Sequence, residues 1–201
     1  YNVRLFNLYN WIDNSEIENQ INKFLVEKDP DIICLQEYRN KVLIMPNHPH
    51  KYEYLRGDDL KYGQVIYSKF PIINSGIINL DSKSNSAIYV DIQINKKTIR
   101  VYNVHFESFS LSKKNDLIIF PESGNKLYES ISKTFSIQQD QLEIIEKNIK
   151  QIPHEIIFTT DLNNTAFSYV YKQLNKKFRD SFIEKGNGFG TTFIYNFVPL
   201  R

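Results

Sequence analysis

Ile156-Ile157-Phe158-Thr159-Thr160-Asp161-Leu162-Asn163-Asn164 is the stretch that decides how this chain is read. An apolar, β-favouring run too short for a helix stops at a carboxylate, and polar, cap-forming residues follow. The pattern predicts a buried strand that delivers Asp161 and Asn163 to the edge of a sheet, with a helix soon after. Positions i and i+2 of an extended segment share a face, so both side chains can address one point in a cleft. There a carboxylate can polarise a water while the amide holds an oxyanion or a metal-bound oxygen. Taken alone, Asp-x-Asn reads more economically as a helix N-cap followed by a turn. The company it keeps changes that.

Other strand-like runs end in the same way. Ile32-Ile33-Cys34-Leu35 is continuously apolar, as expected of a strand covered on both faces, and it terminates in Gln36-Glu37. Ile99 to His105 alternates and stops at a histidine; with Ala87 to Ile94 it predicts a hairpin across Asn95-Lys96-Lys97. Tyr1 to Phe6 alternates like a half-buried strand, and Asn2 within it needs hydrogen-bond partners. Between Asn2 and Glu37 lies a helix signal. Ser15-x-x-Glu18 fits a capping box, Ile17, Ile21, Phe24 and Leu25 form one stripe, and Pro30 ends it. A crossover of that length lets the two flanking strands be neighbours. Strand, helix and buried strand in that order make an α/β arrangement with function at the strand tips.

The rest of the chain supports this frame. Strands are expected at Tyr52–Leu55, Gly63–Ser68 and Ile72–Leu80, the last two parted by Phe70-Pro71. Residues 106–128 read as a long loop. A helix from about Tyr128 to Lys150 follows, with Ile131, Phe135, Leu142, Ile145 and Ile149 on its apolar side. A shorter helix carries Phe167, Val170, Tyr171 and Leu174. The glycine-rich stretch Gly186 to Phe193 lacks the Lys-Ser/Thr ending of a phosphate-cradling loop and is read as a turn feeding another strand. His48 and His50 in a Pro-containing turn have no third ligand nearby and are read as loop decoration.

With 201 residues and 41% hydrophobic content, the chain is expected to form one packed domain over residues 1–201. Lys plus Arg of 25 against Asp plus Glu of 23 leaves a net charge of +2, so any attraction to phosphates must be local. The single cysteine, Cys34, can form no internal disulfide and reads as a buried small hydrophobe. No segment approaches ~18 consecutive apolar residues, and no signal pattern marks a compartment. A monomer is expected.

Asn2, Glu37, His105, Asp161 and Asn163 thus assemble from strand tips far apart in sequence. An oxygen-rich set with carboxylates suits Mg²⁺ or Mn²⁺ and suits zinc poorly, since no thiolate or histidine cluster is present. A cation on a phosphoryl oxygen, an Asp activating water, and Asn and His donors facing the developing charge make a phosphoester hydrolysis site. No Gly-x-Ser-x-Gly elbow supports a serine hydrolase.

The chain resembles the endonuclease/exonuclease/phosphatase superfamily. The resemblance rests on Tyr1-Asn2-Val3, Asp31 to Glu37, Gly63 to Pro71, Asn103-Val104-His105, Thr160-Asp161-Leu162-Asn163 and Thr192-Phe193, in family order over nearly the whole chain. It implies a four-layer α/β/β/α sandwich with two central mixed β-sheets and a site at one rim between them. It implies that Glu37 is the main metal ligand, with Asn2 beside it. Asp161 would orient or deprotonate the attacking water, Asn163 would donate to the scissile phosphate, and His105 would contact the phosphate. Two positions depart from the family. Thr160 replaces a usual glycine, tolerable if its φ is negative. The Asp-His pair of a late family strand has no counterpart before Arg201, so the chain is expected to lack its final strands and full activity. The substrate stays open among DNA, RNA, inositol phosphates and sphingomyelin, with nucleic acid one candidate partner. The competing expectation is a binding domain that keeps the fold without the chemistry.

Overall fold

The structure is a computed structural model that describes residues 1–40, 43, 45–82, 85–109, 124–188, 190, 192–195 and 198–200. In chain order its elements are α1 (Ile17–Lys28), β1 (Ile32–Arg39), β2 (His50–Arg56), β3 (Tyr62–Ser68), β4 (Ile72–Ile78), β5 (Ser86–Ile94) and β6 (Lys97–His105). They continue with α2 (Gly124–Ile149), β7 (Glu155–Asp161), α3 (Tyr169–Asn175), α4 (Ser181–Lys185), β8 (Phe193–Tyr195) and β9 (Val198–Leu200). Two compact units result: Tyr1–His105 with Asn148–Asp161, and Phe106–Lys147 with Leu162–Arg201.

The first unit contains the two central sheets of the expected α/β sandwich. One has the order β1-β3-β2, with both named pairings antiparallel; the other has the order β4-β5-β6-β7, antiparallel except for the parallel β6–β7 pair. Cys34 and Ile66 of the first sheet pack with Ile88, Val90, Ile92 and Val101 of the second. On its other face the first sheet meets α1, where Leu25 and Ile21 lie against Ile33, Leu35, Tyr38, Val65 and Tyr67. Alternate residues of β1 therefore divide between a helix and a sheet, which is why the run at 32–35 has no polar side. Each such fully buried aliphatic side chain contributes ~1.5–3 kcal/mol. The hairpin turn narrows to Asn95-Lys96, both with left-handed φ (48° and 68°), matching the right-handed twist of β5 and β6.

In the first unit three expectations are corrected. The strand predicted at Tyr1–Phe6 shrinks to one parallel bridge, Asn2 with Gln36. Arg4, Leu5, Phe6 and Asn7 instead turn with φ between 44° and 61°, which sends both Val3 and Phe6 into the core. The guanidinium of Arg39 donates to the Leu5 carbonyl (2.9 Å) and holds that turn to β1. The capping box does not form: Glu16 occupies the N-cap without a side-chain cap bond, and Asn14 Oδ1 accepts the Glu16 N–H. β7, expected to be buried, is half-exposed, with Ile157 at 41%; it ends its sheet among the described residues, paired to β6 alone. Thr160 has no left-handed φ, so its Cβ is tolerated there.

Asp91 on β5 and Arg100 on β6 make a buried pair. The guanidinium donates to both carboxylate oxygens (2.6 and 2.7 Å), Asn74 adds a third donor (2.9 Å), and the guanidinium carbon lies 4.0 Å from the Tyr89 ring centre. Burial pushes the Asp91 carboxyl up, but the Arg100 and Asn74 hydrogen bonds prevail and hold it below the usual carboxylate range. A depressed carboxylate stabilises the fold above the ordinary carboxylate range, and that stability is lost as pH falls through the native value. Asp91→Ala strands the guanidinium, so urea unfolding at neutral pH should show a loss of about 3–5 kcal/mol. The deficit should shrink in strong acid.

In the second unit Ser168 Oγ caps α3 through the Tyr171 N–H (3.2 Å), and Asp180 caps α4 through the Phe182 N–H (2.8 Å). β8 and β9 pair antiparallel. Phe167, placed by the pattern in the shorter helix, precedes it and is 85% exposed. α2 begins at Gly124 and carries a buried row of Thr134, Gln138, Gln141, Leu142 and Ile145, while Phe135 turns outward. Of the loop expected at 106–128, residues 110–123 lie outside the described residues.

Candidate metal centre

Parallel pairing of β6 and β7 sets His105 opposite Asp161, so both strands end at one place with their last side chains on one face. Glu37 reaches the same place by a different device. Leu35 pairs with Val65 and Tyr38 with Gly63, which leaves a bulge in β1, and Glu37 within it has a φ of 48°. A non-glycine residue in that region costs on the order of 1–2 kcal/mol. The bulge returns Tyr38 to the helix-side core, edge-on to Phe6 at 5.8 Å. Gln36 keeps its amide directed at Asn103 on the second sheet, and the Asn103 amide donates to the Leu35 carbonyl (2.9 Å). The extra residue, Glu37, is re-aimed to the rim.

Asn2 joins the two carboxylates. Its Nδ2 donates to Glu37 Oε1 (2.8 Å) and to Asp161 Oδ2 (2.7 Å). Its Oδ1 accepts the Arg4 N–H (2.8 Å), delivered by the left-handed turn. Two backbone bonds, Val3 N–H to the Gln36 carbonyl (3.0 Å) and Gln36 N–H to the Tyr1 carbonyl (3.1 Å), fix Asn2 beside β1. His105 Nε2 lies 3.9 Å from Glu37 Oε1 and 3.8 Å from Asp161 Oδ2, buried and without a hydrogen-bond partner among the described residues. One donor atom each from Glu37, His105 and Asp161 fall within 4.8 Å of one another.

This set fits a divalent cation. A buried ring nitrogen without a partner among the described residues costs ~1–3 kcal/mol, and two carboxylates face it within 4 Å. Each of the three side chains offers one ligand atom to such a cation.

Asn163 lies in the second unit. Its φ is 48°, and its amide donates to the Phe106 carbonyl (2.9 Å). Gln138 Nε2 donates to the carbonyls of Glu107 (2.7 Å), Leu162 (3.3 Å) and Asn163 (3.3 Å), and its Oε1 accepts from Asn164 Nδ2 (2.7 Å). Gln141 Oε1 accepts the Glu107 N–H (2.9 Å). Neither glutamine stands out by residue type in an amphipathic helix. The signal was their spacing: Thr134, Gln138, Gln141 and Ile145 follow i, i+4, i+7, i+11, in line with the apolar stripe. His48 is buried, its ring nitrogen bound to the Pro30 carbonyl (2.6 Å), which is a structural role.

A sequence model described as the Endonuclease/Exonuclease/phosphatase family matches residues 1–201. No curated protein sequence matches the chain. Among solved structures, sphingomyelinase C from Streptomyces griseocarneus is similar at 16% identity and a TM-score of 0.62, over 88% of this chain and 67% of that one. An endonuclease/exonuclease/phosphatase from Bacteroides vulgatus is similar at 18% identity and 0.62, over 88% and 69%. A humanized TDP2 from D. rerio is similar at 16% and 0.56, over 82% of this chain and 60% of its own length. At these identities the likeness is one of fold.

Proposed function

The chain belongs to the endonuclease/exonuclease/phosphatase family, whose members hydrolyse phosphoester bonds and generally depend on metals, and from that premise we propose that it is a divalent-metal-dependent phosphoester hydrolase. Glu37 is the main ligand of Mg²⁺ or Mn²⁺. Asn2, beside it, holds the two carboxylates together through Nδ2 while its Oδ1 accepts the Arg4 N–H. When bound, the ion polarises a phosphoryl oxygen and offsets the charge developing on it. Asp161 takes a proton from the attacking water. His105 and Asn163 donate to the non-bridging oxygens of the phosphate. Residues 1–201 act as one domain, and nucleic acid is among the phosphodiesters considered.

The observation that carries this reading is the convergence on one point: two carboxylates bridged by one amide, with a buried imidazole nitrogen within 4 Å of both that has no hydrogen-bond partner among the described residues. The test uses the full-length protein with bis(p-nitrophenyl) phosphate, supercoiled DNA, inositol phosphates and sphingomyelin. At least one should be hydrolysed with Mg²⁺ or Mn²⁺, with turnover abolished by EDTA and restored by excess metal. Absence of turnover on all four, with and without metal, would instead favour a binding domain that retains the fold.

A further inference from the structure

We propose that Gln138 is the positioning residue for Asn163, an inference that rests on the reading of Asn163 as a donor to substrate. Gln138 is 0% exposed on α2 and uses both ends of its amide. Its nitrogen faces three carbonyl oxygens from two separate segments, Glu107 after β6 and Leu162–Asn163 after β7. Its oxygen takes the Asn164 amide, so three consecutive residues, 162 to 164, are held by one side chain. Asn163 completes the ring by donating to Phe106.

Packing alone does not call for an amide here. Leucine or methionine would fill the same helical position without the desolvation of a polar group, which costs ~1–3 kcal/mol unless fully hydrogen-bonded. What the amide adds is direction. Asn163 has a left-handed φ, a conformation that a side-chain-bearing residue keeps only when its surroundings over-determine it. The carbonyls flanking that turn are the ones Gln138 engages. Gln138 thus sets where the Asn163 amide points, and Gln141 fixes the Glu107 end of the same clamp.

The test compares the full-length wild type with Gln138→Leu, and with Gln138→Met should the leucine variant fail to fold. Five quantities are read: kcat and KM on the hydrolysed substrate, Mn²⁺ affinity by calorimetry, the thermal midpoint, and backbone carbonyl ¹³C shifts. The expected result is a kcat at least tenfold lower, Mn²⁺ affinity within about twofold of wild type, and carbonyl shift changes centred on Glu107, Leu162 and Asn163. A kcat within threefold of wild type would overturn the proposal. So would parallel losses of kcat, Mn²⁺ affinity and thermal stability, which mark a merely structural residue. If the wild type hydrolyses nothing, the proposed function fails on its own assay. The carbonyl shifts still decide the clamp: changes confined to those three residues support it, and unchanged shifts overturn it.

Discussion

Glu37→Gln should lower metal-dependent phosphodiester turnover by about a thousandfold, the equivalent of ~4 kcal/mol at 1.36 kcal/mol per decade. Glutamine keeps the shape of the side chain and retains an oxygen that can accept from Asn2 Nδ2, so the bulge in β1 should survive and the thermal midpoint should move little. The negative charge is what disappears. Without it the cluster keeps one carboxylate, a weak set for a hard cation. Calorimetric titration with Mn²⁺ should show affinity falling together with kcat. Retention of rate within tenfold would remove Glu37 from the chemistry and leave its left-handed φ unexplained.

Asp161→Asn should cost a factor of ~10²–10⁴ in kcat, the range for loss of a positioned base. The two carboxylates are chemically alike and separable by this comparison. Asp161 ends β7 opposite His105, and Glu37 sits across the Asn2 amide from it. Loss of the base should leave more ion binding intact than loss of the anchor, so Mn²⁺ affinity should drop less in Asp161→Asn than in Glu37→Gln while kcat collapses in both. Equal loss of affinity in the two variants would make Asp161 a second anchor, with the base elsewhere.

How much of this was legible in the sequence depends on how far each cause lies from its residue. The covered strand at 32–35, the hairpin closing at Asn95-Lys96 and the run ending at Asp161 were readable because periodicity and turn chemistry are local. The gathering of Asn2, Glu37, His105 and Asp161 could be anticipated as strand ends in an α/β order. The means by which Glu37 arrives could not. Plain alternation through Leu35-Gln36-Glu37-Tyr38 would put Glu37 on the α1 side, and only the pairing of Tyr38 with Gly63 reveals the extra residue. The Arg4–Asn7 turn contains no glycine to announce its left-handed φ values, so Tyr1–Phe6 read as a strand. Ser15-x-x-Glu18 had the residues of a capping box but not the geometry, because the helix starts one residue later than the motif requires. Gln138 and Gln141 escaped notice because a polar residue within an apolar stripe declares a partner without naming it.

The account depends most on Glu37 anchoring a cation beside Asp161 and His105, and anomalous diffraction from Mn²⁺-soaked crystals of the full-length protein tests that directly. The expected map has its strongest peak among these three side chains, within bonding distance of a Glu37 oxygen, and the peak vanishes in Glu37→Gln crystals. A fully occupied peak elsewhere, or none at saturating Mn²⁺ with the cluster open to solvent, would contradict it.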